Sequence, residues 1–444
     1  MKPRLLAFVL SIGPLWADPP TALAIHNARI VPVSGPAIAK GTVVVRNGLI
    51  ESVGADVNIP ADAWVLEGDD LTVYPGLIDG LSTIGLLDEA PIAPLRSGLP
   101  ATPATAPGPP VSTTPPARGP EDRPNTYSWQ RAADLIKTSD RRLEVARGAG
   151  FTTAVTFSHR GIFAGHGAVI NLAGETTGKM VVTDNTGQYV TTATGGFGSG
   201  YPASLMGVFA YIRQIYLDAD HYKQAKQMYA AHPAGRARPE YDRALEGVLD
   251  SAFVLLPATR RIDVDRMIRF ANELKIRTVL YGIPEAYRSV DLLKRSGVPV
   301  LLSLKWPSKA VETNPDDVDE LRALEIRDRA PSAPGLLAKN GVKFAFFADG
   351  VEKRADFFQA VKKAIDAGLS QEDALRALTL TPAEIYGVSD RMGSIEKGKI
   401  ANLVVTKGDL FQEKTEVKFV LVDGVKYEPV EEAPPARPAG ERSN

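Results

Sequence analysis

The stretch Ala252-Phe253-Val254-Leu255-Leu256, then Val264 to Leu274, then Thr278-Val279-Leu280-Tyr281, then Val290 to Arg295, then Val298 to Leu304 decides the fold class. Short β-rich runs alternate with helical patterns of apolar residues. That alternation predicts parallel strands joined by crossover helices. Working outward, Thr152 to Phe157 and Val342 to Phe347 read as further strands. Ala355 to Ala367 and Gln371 to Ala377 read as helices. Ser370 to Asp373 has the form of a capping box ahead of Ala374 and Leu375. Thr381-Pro382-Ala383-Glu384 has it again, with Gly387 placed to end that helix in a left-handed conformation. The section from about 75 to 389 has the length of a (β/α)8 barrel with insertions.

Strand signals of a different kind flank this section. Val43 to Val53 carries Asn47-Gly48 between two β-rich runs, and Val417 to Tyr427 carries Asp423-Gly424. Both steps tolerate positive φ at two successive residues, which a two-residue hairpin requires. Ile400 to Thr406 adds another strand. The reading is an α/β chain whose small composite β-sandwich domain, 24–74 plus 390–428, flanks a barrel over 75–389.

Three segments stand apart from these domains. Lys2 and Arg4 precede an uncharged apolar run from Leu5 to Trp16, with Ala17 as a cleavage residue, which is the pattern of a signal peptide over 1–17. The run is too short to span a bilayer, so the expectation is an exported chain, periplasmic or secreted, with no membrane span after cleavage. Residues 91–124 hold 11 of the 34 prolines and read as a lid over the barrel or a solvated insertion. Residues 429–444 read as a disordered tail.

The bulk chemistry narrows the function. Lys and Arg number 51 and Asp and Glu 52, for a net charge of −1, so no basic excess points to nucleic acid. Cysteine is absent, which removes thiolate metal sites and cysteine nucleophiles. Only 5 histidines occur. No Gly-x-Ser-x-Gly elbow is present. The glycine-rich run Gly195 to Gly200 lacks a phosphate-loop lysine.

Four segments, in order, resemble the amidohydrolase superfamily, closest to its imidazolonepropionase-like and prolidase-like branches. They are Gly41 to Gly54, Pro75-Gly76-Leu77-Ile78-Asp79, Gly150-Phe151-Thr152-Thr153-Ala154-Val155, and Leu378 to Glu384 followed by Gly393 to Leu403. In active members the second motif leads into a His-x-His pair that binds catalytic metal. Here those two positions hold Leu81 and Thr83. Leucine has no donor atom, and a neutral hydroxyl is a poor ligand for a transition metal.

The resemblance implies later histidines on the barrel strands and an Asp at the last one. Asp349 falls at the position of the Asp and is the candidate catalytic residue. Tyr281 stands where a family histidine would be, and Tyr281 and His159 are the candidate ligand contacts. No metal centre and no cofactor is expected. The alternative is zinc held by His159, His166 and Asp349. Two functions follow from the resemblance. One is a non-catalytic homologue that takes a small-molecule ligand or partners an active amidohydrolase paralogue. The other is a hydrolase of C–N bonds working through a rebuilt site.

Overall fold

In a computed structural model, the described residues are 22–87, 123–192, 201–309, 319–351, 354–412 and 415–429. The signal segment, nearly all of the Pro-rich stretch, Gly195 to Gly200 and the tail past 429 lie outside them. The chain begins with five strands: β1 (Ala22–Ile30), β2 (Ile38–Arg46), β3 (Leu49–Gly54), β4 (Ala63–Glu67) and β5 (Leu71–Pro75). Then come β6 (Leu77–Ser82), α1 (Arg142–Gly148), β7 (Phe151–Thr156), β8 (Phe163–His166) and β9 (Ala168–Asn171). They are followed by α2 (Thr177–Met180), β10 (Val181–Thr183), β11 (Gln188–Val190), the long α3 (Leu205–Ala231) and α4 (Arg243–Leu249). The strand–helix alternation runs through β12 (Val254–Pro257), α5 (Arg261–Leu274), β13 (Thr278–Tyr281), α6 (Val290–Ser296) and β14 (Val300–Ser303). It continues with α7 (Leu321–Arg329), α8 (Ala333–Lys339), β15 (Phe344–Phe347), α9 (Arg354–Asp366), α10 (Gln371–Leu378) and α11 (Leu380–Ile385). The last strands are β16 (Leu403–Lys407), β17 (Glu416–Val422) and β18 (Val425–Tyr427). No helix among the described residues is long and apolar enough to cross a membrane.

Strands from both ends share one eight-stranded sheet, ordered β18-β17-β16-β5-β1-β2-β3 with β4 beside β1. All eight strands are hydrogen-bonded into this one sheet. Its core is aliphatic, built by Ile25, Val43, Val73, Leu403, Val405 and Leu421. Asn47 and Gly48 take φ of 51° and 79°, and Asp423 and Gly424 take 52° and 76°. These are the double left-handed turns that the two dipeptides predict. The turns abut: a Cβ on Gly424 would stand 2.8 Å from Gly48 Cα.

The remaining strands form two sheets, β10-β9-β7-β6 and β15-β14-β13-β12-β11-β8. Parallel pairing runs from β11 through β15 and joins β6 to β7. Strands β8, β9 and β10 pair antiparallel, so both sheets are mixed. The expected α/β alternation is present; closure of the expected barrel is not seen among the described residues, where β6 and β15 meet without strand pairing. Side-chain alternation still defines an inside. Val254, Leu256, Leu280, Val300, Leu302, Phe344 and Phe346 pack outward with the helices. Their neighbours Leu255, Val279, Tyr281, Leu301, Ala345 and Phe347 pack inward with Ile78, Leu81 and Phe157. A period of two along each strand requires this split.

At the seam between β6 and β15 side chains do the work of a ladder. Asp79 Oδ1 accepts from Ala348 N at 3.0 Å, and Tyr386 donates its hydroxyl to Gly80 O at 2.6 Å. A Cβ on Gly80 would lie 2.8 Å from Phe346 O, so only glycine permits this approach. The end of the helical section also differs in detail from the sequence reading. Ser370 caps α10 through Asp373 N, as its motif predicts. Thr381, however, lies inside α11, whose N-cap is Thr379, and Glu384 pairs with Arg376 and Lys343. The hydroxyl of Thr379 turns back to Leu375 O, binding the two helices into one corner.

Candidate functional site

Both positions that would carry the first metal-binding pair are committed to structure. Leu81 is fully buried and points inward into the aromatic and aliphatic cluster. Thr83 Oγ1 accepts from Arg142 Nη1 at 2.9 Å, and Thr83 O accepts from Arg142 Nη2 at 2.9 Å. The same guanidinium donates to Leu86 O and pairs with the buried Asp140 at 2.8 Å. Arg142 therefore ties the end of β6 to the start of α1.

Tyr281 projects inward from β13. Its hydroxyl donates to Val190 O at 3.1 Å, and its ring stacks on Tyr189 with centroids 5.0 Å apart. Tyr189 stacks in turn on His159 at 4.8 Å. Burial pushes the Tyr281 phenol well above its ordinary pKa and pushes the His159 imidazole down to about 4. The structure thus joins the two candidate ligand contacts in one stacked column. His166 is elsewhere. It is buried, with Nδ1 3.0 Å from Asn185 Oδ1 and Nε2 3.0 Å from Gly247 O, and burial lowers its pKa. Among the described residues no group of three His, Cys, Asp or Glu side chains is placed to hold a metal ion. The set His159, His166 and Asp349 is not brought together, because each histidine is drawn into its own packing. The residues present do not fit the metal centre that the resemblance implies.

Asp349 does sit at the end of the last strand. It takes φ of 53°, and Gly350 follows at 76°. Only 7% of it is exposed. Oδ2 accepts from Ser303 Oγ at 2.7 Å, while Oδ1 is buried with no hydrogen-bond partner among the described residues. Burial raises its pKa against the opposing effects of Ser303 and Lys305. Its direct partner is the Ser303 hydroxyl.

A second carboxylate, Asp79, was missed as a site residue. Burial raises it to about 7, with a smaller contribution from Asp349. Both acids line a pocket of about 60 Å³ at the β6–β15 seam, together with Ser82, Thr83, Arg142 and apolar side chains of α1. The one available signal was an ionisable residue inside an otherwise apolar strand, Leu77-Ile78-Asp79-Gly80-Leu81. Tyr189 and Tyr386 gave no local signal, since their partners lie 92 and 306 residues away (Tyr281 and Gly80).

The comparisons with known proteins agree with this architecture. The model of the amidohydrolase family matches residues 255–427. An amidohydrolase from Thermotoga maritima MSB8 superposes with a TM-score of 0.70 at 26% identity, covering 91% of this chain and 100% of that one. A prolidase solved with N-methylphosphonate-L-proline gives a TM-score of 0.54 at 17% identity, covering 92% and 100%. A further amidohydrolase gives 0.53 at 14%, covering 93% and 100%. At these lower identities the likeness concerns the fold alone. No protein of curated function matches the sequence. Residues 255–427 match the amidohydrolase family model, and the chain as a whole is similar in fold to solved amidohydrolases.

Proposed function

We propose that this chain is an exported, non-catalytic amidohydrolase-fold protein that binds a small-molecule ligand or partners an active amidohydrolase paralogue. The carrying observation is the reuse of the ligand positions. Leu81 fills the interior, Thr83 holds Arg142, and Tyr281 is locked between Tyr189 and Val190 O. Zinc at a catalytic site takes about three protein ligands of nitrogen, sulfur or carboxylate type, and those three residues supply none. In the same reading the terminal strand segments, 24–74 and 390–428, form one domain around the 75–389 section, and residues 1–17 direct export.

A second reading rests on Asp349. Its placement at the last strand, with one oxygen unpartnered, suits a base in a hydrolase of C–N bonds acting through a rebuilt site. The deciding experiment is elemental analysis of the purified protein with turnover of a panel of dipeptides, hydantoins and lactams. The non-catalytic reading expects no stoichiometric zinc and no turnover above buffer. One equivalent of metal, or turnover that vanishes in Asp349→Asn, overturns it.

A further inference from the structure

The seam pocket holds a buried carboxylate that enters no ion pair among the described residues. Asp349 is nine-tenths buried and lines the pocket, yet its Oδ1 has no partner among the described residues. A buried, unpaired carboxylate oxygen is costly, and a structure that keeps one invites a donor. Arg142 is held by Asp140, Thr83 and Leu86 and makes no bond to Asp349 among the described residues. Lys305 acts on Asp349 only through longer-range attraction, and Asp349 enters no ion pair among the described residues.

The walls restrict what that donor is. Ile84, Val145, Ala146, Phe151 and Val351 make the pocket mostly apolar, and its lining also carries the acceptors Asp79, Ser82 and Asp349. A divalent ion demands a shell of oxygen or nitrogen ligands that these apolar walls do not supply. A cavity of about 150 Å³ holds benzene. At about 60 Å³ this pocket has room for two or three heavy atoms. An ammonium group offers three N–H donors and a single positive charge. A short alkyl stem then meets the α1 side chains.

We propose that the seam pocket is a binding site for the ammonium head of a small primary amine, with Asp349 as its counter-charge. The proposal rests on the reading that no metal occupies this end of the fold. It adds a ligand class, and it places the ligand in the wall of the barrel-like section beside α1, outside the aromatic interior.

The test is isothermal calorimetry and thermal unfolding of the full chain with ethylammonium chloride. Sodium chloride, tetramethylammonium chloride and propan-1-ol serve as matched controls for ionic strength, for size and lack of N–H donors, and for charge. So few heavy atoms limit affinity to the millimolar range. Ethylammonium is expected to bind saturably there, at least tenfold more tightly than tetramethylammonium or propan-1-ol. Asp349→Asn should weaken it at least tenfold. Ala146→Leu, which fills the pocket and leaves the carboxylate in place, should do the same, and it decides the matter alone if Asp349→Asn does not fold. A response no greater than that to sodium chloride overturns the proposal, as does binding unchanged in both variants. Metal content and turnover bear only on the non-catalytic reading, so the failure of one proposal is distinguishable from the failure of the other.

Discussion

Replacing Asp79 by asparagine should reverse part of the pH dependence of stability. Asp79 is 3% exposed and titrates at about 7 in the fold against an ordinary value of 3.8, chiefly because burial penalises its charge. The folded state therefore holds a proton that the unfolded chain releases above about pH 4. Stability from this group is present below pH 4, falls by about 1.4 kcal/mol per pH unit as pH rises, and is fully lost above pH 7. Between pH 4 and pH 8 the loss sums to about 4 kcal/mol. In Asp79→Asn the side-chain carbonyl keeps the acceptor for Ala348 N, now 3.0 Å away, and the amide carries no charge at any pH. The amide nitrogen would replace an acceptor facing the seam, at a cost of about 1 kcal/mol.

The curves of parent and variant should consequently cross. The variant is slightly less stable at pH 4 and about 3 kcal/mol more stable at pH 8, after subtracting that cost. Urea unfolding followed by circular dichroism at each half pH unit measures the difference directly, and titrating groups that do not interact with Asp79 cancel between the two proteins. Parallel curves from pH 4 to pH 8 would refute the reasoning, because they would mean that Asp79 is ionised in the fold at no cost.

Three other substitutions follow from the same geometry. Gly80→Ala places a Cβ 2.8 Å from Phe346 O, a backbone atom that cannot move aside, and should cost about 2 kcal/mol in urea unfolding. His159→Phe should matter only in acid: an imidazole held near 4 destabilises the fold as pH drops below its ordinary 6.5, so the variant should gain about 2–3 kcal/mol on the parent by pH 4, and an unchanged acid limb would count against burial of that ring. Leu81→His with Thr83→His should lose about 3–5 kcal/mol, since a buried leucine and an Arg142 partner are removed together, and calorimetry should find no micromolar zinc site, because Tyr281 still stands where a later ligand is required.

What the sequence disclosed was local. Thr278–Tyr281 is the strand that its composition marks, and Gln371–Leu378 begins at the residue after the Ser370 cap. Both depend on contacts within a few residues, as do the Asn47-Gly48 and Asp423-Gly424 turns. The antiparallel strands β8 and β9 are four residues long and buried throughout, so no alternation betrays them, and β10 is only three residues long, too short to show one. The seam was hidden for another reason. Asp79 binds Ala348 across 269 residues, and the aspartate looks like part of a motif until the missing ladder bond opposite it is seen. Thr381 misled because two threonines two residues apart both suit a cap, and the choice was made by the buried bond from Thr379 to Leu375 O.

The side chains at the positions where the resemblance implies metal ligands are packed or hydrogen-bonded. Had Leu81, Thr83 and Tyr281 simply drifted from histidine, the interior would hold voids or unpaired polar atoms, each costing about 1–3 kcal/mol. Instead Leu81 is packed, the Thr83 hydroxyl is bonded, and the Tyr281 hydroxyl and ring both have partners. The interior around them is closed by Phe157, Tyr189, Phe347 and Tyr386. Any one reversion to histidine therefore breaks a satisfied contact before it can create a ligand, and the first two reversions return nothing because coordination is incomplete. Asp349 is the exception, since its Oδ1 has gained no partner among the described residues in the exchange. A buried carboxylate oxygen without a partner, lining a pocket, is where a donor group would be accommodated, and that is why the seam pocket, and not the aromatic interior, is the place to look for what this chain binds.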